Sequence, residues 1–248
     1  MLTVKDIMDF TETLAPLSTA AEWDNAGLNV GAPDRVVSTV LLALDITPAV
    51  VAEARTRGAE LIISHHPVIF DPLASLSPDT APYLLAQYDI AALCLHTNLD
   101  RAARGVNTAL AQAIGLSDIR LYPDDFIAVG TPEQSTDSDT FASLLKLRLS
   151  APSVRYTTGS VSRVAVSSGG GGEGIGLYRK YGFDAFVTGE LKHHQYLYAV
   201  EHRIAAFDAG HYSTEHLILK WLMRELTGAL PGIRVLLSEQ DPCPYHSI

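Results

Sequence analysis

The amino-acid sequence predicts an α/β fold made of two similar, intertwined α/β lobes, residues 1–125 and 126–248. Three observations predict this fold. Short apolar, β-branched runs alternate with helix-length segments along the chain, the two halves repeat each other, and several predicted strands end in polar residues. With 248 residues, of which 47% are hydrophobic, the chain can bury one large core or two modest ones.

The first lobe begins with a helix and continues with alternating strands and helices. Thr3 is the predicted N-cap of the first helix, which ends before Pro16, and residues 22–28 are predicted to form a structured loop. A later helix starts at Pro48 and ends at Gly58, because glycine readily adopts the conformation that ends helices. The other predicted elements of this lobe are strands at 36–44, 61–63 and 90–95 and helices around 83–85 and 106–114.

The second lobe shows the same alternation after an acidic, polar stretch at 118–138, which is predicted to connect the lobes. The predicted strands are at 161–166, 184–187 and 204–207. Four helices are predicted: one at 141–149, one that ends at Tyr181, one that begins after His194, and one from Ser213 to Gly228. Four glycines at 169–172 precede one of these helices. Their N–H groups could cradle a phosphate, but the Lys-Ser/Thr ending of a nucleotide-binding loop is absent, and a tight turn explains them equally well.

Three pairs of segments indicate that the lobes arose by duplication. The matching pairs are 37–40 with 161–164, 58–66 with 182–194, and 90–100 with 204–215. They occur in the same order, and their spacings differ chiefly by an insertion after Pro67. Three matches in register predict a duplicated α/β unit, in which equivalent strand ends face one cleft.

Composition and charge limit the classes of partner. The formal net charge is −10, from 18 basic and 28 acidic residues, which argues against general binding to nucleic-acid backbones. Cys94 and Cys243 lie in no metal or redox spacing, so reduced thiols are the simplest interpretation. The first residues contain no apolar signal region, and no apolar run reaches the length of a membrane span. We therefore expect a cytoplasmic protein that does not bind membranes.

Two adjacent histidines follow the strand at 61–63. His65 and His66 stand where this strand ends, because Pro67 cannot continue a central strand. Open α/β sheets bind their ligands at the carboxyl ends of strands, and a turn there allows both imidazoles to serve one site. If the pair stood alone, two surface histidines would be the better interpretation.

Three further residues complete a candidate metal site. Asp100 comes soon after the strand at 90–95, and His211 and Glu215 are four residues apart where a helix is predicted to begin, which places them on one face. With the histidine pair they offer three imidazoles and two carboxylates. Five such ligands suit two metal ions with one bridging carboxylate, in the cleft between the lobes. A polar cleft without metal is the alternative.

Other polar residues near these ligands are candidates for further roles. His96 lies at a strand end and is a candidate proton carrier or a partner that orients a ligand, with a structural role as the alternative. Glu190 is the second candidate proton carrier. His193 and His194 correspond to the histidine pair of the first lobe and are predicted to line the same pocket. The Asp24-Asn25 pair is predicted to fix its loop by capping.

Five sequence blocks resemble the signature blocks of one known family. The blocks are Trp23-Asp24-Asn25-Ala26-Gly27-Leu28, Ser64-His65-His66-Pro67, His96-Thr97-Asn98-Leu99-Asp100, Thr188-Gly189-Glu190-Leu191-Lys192-His193-His194 and Gly210-His211-Tyr212-Ser213-Thr214-Glu215. In the family's order, and across essentially the whole chain, they resemble the Ngg-interacting-factor-like family, also called the GTP cyclohydrolase I type 2 family. The chain is similar to its short bacterial-type members, which lack the domain that longer members insert.

The resemblance implies a dinuclear metal site and a toroidal homohexamer. The implied metal ligands are the same five residues that spacing selects, namely His65, His66, Asp100, His211 and Glu215. Glu215 corresponds to the bridging carboxylate. The implied cofactors are two divalent ions per chain, with zinc, manganese, iron, nickel and magnesium as candidates.

The family name also implies an activity, the opening of the guanine ring of GTP with release of formate. A metal-dependent phosphoesterase acting on nucleotides is one alternative, because a dinuclear site also fits phosphoester hydrolysis. A non-catalytic metal-binding scaffold or regulatory protein is another, because few cations are grouped near the site. The candidates to hold a triphosphate are Arg101, Arg104, Lys180 and Lys192.

Overall fold

A computed structural model describes residues 1–246, which divide into two compact units. The first unit comprises Met1–Ala102 with Ile218–Pro242, and the second comprises Ala103–Leu217 with the residues from Cys243 onward. Each unit is therefore discontinuous in sequence. The boundary predicted between residues 125 and 126 lies inside the second unit.

The elements follow one another along the chain in α/β alternation. The strands are β1 (Leu2–Thr3), β2 (Gly27–Val30), β3 (Val36–Val37), β4 (Thr39–Ala43), β5 (Leu61–Ser64), β6 (Ala91–Cys94), β7 (Leu116–Tyr122), β8 (Ile127–Pro132), β9 (Thr136–Asp137), β10 (Arg155–Tyr156), β11 (Ser160–Val161), β12 (Val164–Ser167), β13 (Ala185–Thr188), β14 (Ala205–Asp208) and β15 (Arg234–Leu237). The helices are α1 (Val4–Leu14), α2 (Pro48–Arg57), α3 (Ala81–Tyr88), α4 (Thr97–Arg101), α5 (Val106–Ala113), α6 (Ser138–Arg148), α7 (Tyr178–Tyr181), α8 (His193–His202), α9 (His211–Glu215) and α10 (Leu217–Ala229). Among residues 1–246, no helix is both long enough and apolar enough to cross a membrane.

The first unit is built on a five-stranded sheet of order β15-β4-β5-β6-β2. β15, β4, β5 and β6 are parallel, and β2 is antiparallel to β6. Every residue of β4, β5 and β6 is buried, which explains why these strands read as continuous apolar runs rather than as alternating patterns. One face of the sheet packs on α2 and α3 through a core that includes Leu41, Val50, Ile62 and Leu85.

The second unit is built on a six-stranded sheet of order β10-β14-β13-β12-β8-β7, whose central strands β12, β13 and β14 are parallel. Successive side chains of β12 pack into two different hydrophobic cores, because the side chains of a strand point alternately to the two faces of the sheet. Val164 and Val166 pack with Phe141 and Phe207, whereas Ala165 packs with Phe186. This arrangement places the carboxyl ends of β12, β13 and β14 at the same end of the sheet. In the first unit the carboxyl ends of the four parallel strands likewise lie at one end of their sheet.

Equivalent contacts support the predicted duplication and confirm the α/β fold. In the first unit, Glu60 precedes β5 and accepts hydrogen bonds from the N–H groups of Ser38 at 3.1 Å and Thr39 at 2.9 Å. In the second, Asp184 precedes β13 and accepts from the N–H groups of Ser162 and Arg163, both at 2.9 Å. A carboxylate at the same place thus satisfies the start of the neighbouring strand in each unit.

Glu60→Gln is expected to lower the free energy of unfolding by about 1–2 kcal/mol at neutral pH, because an amide weakens the charge-assisted bonds to Ser38 and Thr39. Burial raises the pKa of Glu60, but these bonds outweigh burial and lower the pKa below 4.5. The contribution of Glu60 to the free energy of unfolding is therefore complete above its ordinary pKa of 4.5, and it is lost as the pH falls through the lower pKa of the folded state. Urea unfolding at several pH values checks this. A difference from wild type that does not shrink in acid would contradict it.

Several segments differ from the sequence prediction. The polar stretch predicted to connect the lobes forms β7 and β8, which pair antiparallel. Asp118 adopts φ +50°, and the register shifts between Ser117 and Arg120, so the alternation that reveals a strand is interrupted. The helix predicted from Ser213 to Gly228 is divided into two helices, α9 (His211–Glu215) and α10 (Leu217–Ala229), and α9 starts two residues earlier than predicted, after Gly210 at φ +88°. β15 was not predicted, since its four residues follow a Pro-Gly turn without a clear pattern.

Candidate metal centre

The end of β5 positions the two adjacent histidines of the first unit. His65 is only 1% exposed, and its Nδ1 lies 2.8 Å from the carbonyl oxygen of Leu95, just beyond β6. The Ser64 hydroxyl donates to the carbonyl oxygen of His66 at 2.7 Å and fixes the turn. The ring centroids of His65 and His66 are 5.1 Å apart. The turn thus brings the two imidazoles together, as the sequence predicts.

Asp45 holds the second histidine and was missed by sequence reasoning. It follows β4 directly, and its Oδ1 lies 2.8 Å from Nδ1 of His66. The signal that could have found it is the one that selects the histidine pair, a polar residue at the carboxyl end of a buried strand. Because a carboxylate can only accept, this contact places the proton of His66 on Nδ1.

His96 joins the histidine pair at the end of the next strand. Its ring centroid lies 5.2 Å from that of His65 and 5.6 Å from that of His66. One ligand atom from each of the three residues can be chosen so that all lie within 4.8 Å of one another. The three histidines therefore form a group that could hold a metal ion, and we call them the histidine group.

Asp24 fixes the orientation of His96. Its Oδ1 lies 2.8 Å from Nδ1 of His96, and its Oδ2 accepts from the N–H of Thr97 at 3.0 Å and from the Thr97 hydroxyl. Burial raises the pKa of Asp24, but the hydrogen bonds from His96 and Thr97 outweigh it and lower the pKa to about 2. Asp24 is therefore ionised at neutral pH, and it orients His96 as well as capping its loop.

Asp100 reaches the same group from α4. Its side chain is 14% exposed, and its Oδ1 lies 3.7 Å from Nε2 of His65. Cys94 lies next to these residues at the end of β6, and its Sγ donates to the carbonyl oxygen of His65 at 3.1 Å. Burial raises the pKa of the Cys94 thiol far above its ordinary value, so the thiol is protonated at neutral pH and can donate this hydrogen bond.

In the second unit, α9 brings His211 and Glu215 together as predicted from their spacing. Nε2 of His211 lies 3.0 Å from Oε2 of Glu215, whose side chain is 5% exposed. Nδ1 of His211 lies 2.9 Å from Oε1 of Glu190. A neutral imidazole has one N–H and cannot donate to carboxylates at both nitrogens. One of these contacts therefore requires a cation, either a second proton or a metal ion.

The glycine run packs against this pair. Gly169 has φ +54°, and a Cβ added there would collide with Oε1 of Glu215. A Cβ on Gly189 would lie 2.7 Å from the Cα of His211. The N–H groups at the start of the run are already used, since Ser168 donates to Asn107 Oδ1 at 2.8 Å and Gly169 to Thr214 Oγ1 at 3.1 Å. These contacts favour the tight-turn interpretation over a phosphate cradle.

A cavity of about 480 Å³ in the second unit borders His211. Its lining residues are Ser153, Arg155, Gly189, Glu190, Leu191, Lys192, Asp208, Gly210, His211 and Tyr245. His193 and His194 are exposed in the first turn of α8 and do not belong to this lining. Of the cations considered for a triphosphate, Lys192 lines the cavity, whereas Lys180 is paired with Asp125.

The donors of each unit fit divalent metal ions. Four histidines share one pattern, in which Nδ1 faces a carbonyl or carboxylate oxygen; they are His65, His66, His96 and His211. Since these oxygens accept hydrogen bonds, Nδ1 carries the proton in His65, His66 and His96, and Nε2 carries the lone pair that a metal needs. In His211 the same assignment holds if a metal ion, rather than a second proton, lies between Nε2 and Glu215. Such a partner on the far nitrogen is typical of metal-binding histidines. Imidazole and carboxylate together suit zinc, iron, nickel and manganese.

Comparison with known proteins gives consistent matches along the chain. The family model described as Duf34/NIF3 (NGG1p interacting factor 3) matches residues 2–244. A Clostridium acetobutylicum relative named GTP cyclohydrolase 1 type 2 homolog is 30% identical over 263 residues, 98% of each chain. The crystal structure of Staphylococcus aureus protein SA1388 is similar with a TM-score of 0.91 and 28% identity, covering 100% of this chain and 99% of that one. A Bacillus cereus protein related to NIF3 shares the fold, with a TM-score of 0.89, 22% identity and the same coverage.

Proposed function

Because this chain belongs to the Duf34/NIF3 (NGG1p interacting factor 3) family, we propose that it is a dinuclear-metal-dependent hydrolase that acts on a nucleotide. The observation that carries the proposal is the shared orientation of the four histidines. Each has an acceptor at Nδ1, which leaves Nε2 as the ligand nitrogen. A set of surface histidines has no reason to share this pattern.

The proposed ligands are those implied by the resemblance and supported by the local geometry of each unit. They are His65, His66, Asp100, His211 and Glu215, with two divalent ions per chain. Glu215 is proposed as the bridging carboxylate. Its buried position beside His211, and the glycines packed against it, support a fixed ligand rather than a mobile surface residue. When bound, divalent ions would acidify a water molecule and stabilise negative charge on the substrate.

The chain's own residues supply orientation and proton transfer. We propose His96 as the proton carrier, since ionised Asp24 holds its Nδ1 proton and stabilises the imidazolium that forms when Nε2 accepts a second proton. Glu190, the other candidate proton carrier, contacts His211 at Nδ1. This contact supports a role in positioning His211.

The proposed substrate is GTP, because curated relatives carry the name GTP cyclohydrolase 1 type 2 homolog. In that reaction two water molecules in turn hydrolyse the bonds from C8 of guanine to its two ring nitrogens, each nitrogen takes up the protons, and C8 leaves as formate. A phosphoesterase would instead release phosphate from the same nucleotide. Measuring formate and phosphate from GTP with metal-loaded protein separates the two reactions. Absence of both products would favour a metal-binding scaffold.

Elemental analysis after metal loading and desalting is expected to find about two divalent ions per chain. His65→Ala is expected to lower the occupancy of one ion, and Glu215→Ala that of both, because a bridging carboxylate binds two ions. Glu12→Ala is the matched control, since Glu12 lies on exposed surface of α1. Wild-type protein that retains no divalent metal would contradict the proposal.

The resemblance also supports a homohexamer, which we retain as part of the proposal. The assembly mass is measured by light scattering on the metal-loaded protein, and a monomer mass would remove the hexamer from the proposal without affecting the metal ligands.

A further inference from the structure

The loop before β2 is fixed by its polar side chains. Asp24 holds His96, as described above, and Nδ2 of Asn25 donates to the carbonyl oxygen of Ile69 at 2.6 Å. These two bonds tie the loop to the start of α4 and to the connection that follows the histidine pair. Trp23 precedes both residues, so its backbone is held in place although its side chain is not part of the core.

Trp23 and Phe70 form an exposed aromatic surface, which we call the aromatic platform. Trp23 is 62% exposed and Phe70 is 50% exposed. Their ring centroids are 6.1 Å apart with an interplanar angle of 44°. The Trp23 ring also lies 6.1 Å from that of His96, at 78°. A large aromatic side chain on a fixed loop, exposed beside candidate metal ligands, is typical of a binding surface rather than of core packing.

We infer that the aromatic platform binds the planar heteroaromatic ring of the substrate by stacking, with Trp23 as the main contact. The inference rests on the proposed function for the substrate class, a purine nucleotide. An aromatic face suits this ligand because every base has a π-face, whatever its hydrogen-bonding edge. Two exposed rings offer far less area than the ~800 Å² per partner of a standard protein interface, so a small ligand fits the platform better than a protein.

The position of the platform also bears on the reaction. A base stacked on Trp23 would lie close to His96, because the centroids of the Trp23 and His96 rings are 6.1 Å apart. The atoms of the base, rather than the phosphates, then lie next to the proposed proton carrier. This placement supports hydrolysis of the ring over hydrolysis of a phosphoester, in which the phosphates would take that position.

The test uses metal-loaded protein and two partial ligands. Guanosine carries the ring without phosphates, and tripolyphosphate carries phosphates without the ring. Guanosine is expected to quench the fluorescence of Trp23, whereas tripolyphosphate is expected to leave it unchanged. The protein has two tryptophans, and Trp23→Phe gives the background of buried Trp221.

Affinity is measured independently by calorimetry. Trp23→Ala is expected to weaken guanosine binding about 5- to 150-fold, and Trp23→Phe to retain most of it, because phenylalanine keeps a π-face. Tripolyphosphate binding is expected to be the same in all variants. Leu147→Ala is the control, since it also removes an exposed apolar side chain, one that is 80% exposed. Circular dichroism checks that each variant is folded.

Wild-type guanosine affinity in Trp23→Ala would overturn the inference. A changed assembly mass in that variant with unchanged guanosine affinity would also overturn it, because the platform would then face a second copy of the chain. Failure of the proposed function gives a different result. In that case GTP is not consumed, while guanosine still quenches Trp23 and the platform is supported.

Discussion

Gly169→Ala is expected to weaken metal binding by His211 and Glu215 about 10- to 100-fold or more. This is the usual loss of metal affinity when residues that hold a metal ligand in place are changed. The new Cβ would collide with Oε1 of Glu215 and would lie 2.9 Å from Nε2 of His211. The carboxylate must therefore leave its position. Because Gly169 also has φ +54°, a further cost of about 1–2 kcal/mol in folding free energy is expected.

Gly170→Ala is the matched control for this substitution. Gly170 is the next residue of the same run, but its φ is −75° and a Cβ there meets nothing within 4 Å. The Gly170→Ala variant is therefore expected to keep wild-type metal content. Elemental analysis after loading and desalting, with urea unfolding to separate metal loss from unfolding, checks both variants. Equal metal content in the two would mean that Glu215 moves aside without harm, which would contradict its role as a ligand.

Local signals in the sequence predicted the features that depend on local chemistry. The buried strands were found because both faces of each are covered, and the histidine pair was found because Pro67 ends its strand. The i, i+4 spacing of His211 and Glu215 predicted their contact, which α9 confirms at 3.0 Å. Each of these features is decided within a few residues of chain.

The features that the sequence did not predict depend on residues far apart in the chain. Asp24 orients His96 across 72 residues, and Glu190 contacts His211 across 21. No local pattern specifies these pairs, since either carboxylate could equally face solvent. β15 is a similar case, because it becomes a strand by pairing with β4, nearly two hundred residues earlier. Tertiary packing, not propensity, decides such elements.

His211→Ala is expected to abolish release of formate or phosphate from GTP, because it removes one proposed metal ligand and leaves Glu215 without the imidazole beside it. His96→Ala is expected to keep the metal but to slow turnover by roughly 10²–10⁴-fold, the usual contribution of a positioned proton carrier. Elemental analysis and product assays on the same preparations check both statements.

Asp24→Asn separates the two roles that His96 can have. An amide can donate to Nδ1 of His96, which would favour the tautomer with its proton on Nε2 and so remove the proton acceptor without removing the ring. Turnover is expected to fall as in His96→Ala, with metal content unchanged. If His96→Ala and Asp24→Asn instead both lose metal, His96 is a metal ligand. Glu190 would then be the next candidate for the proton carrier. Equal background product from wild type and His211→Ala would contradict the hydrolase proposal itself, whatever the metal content.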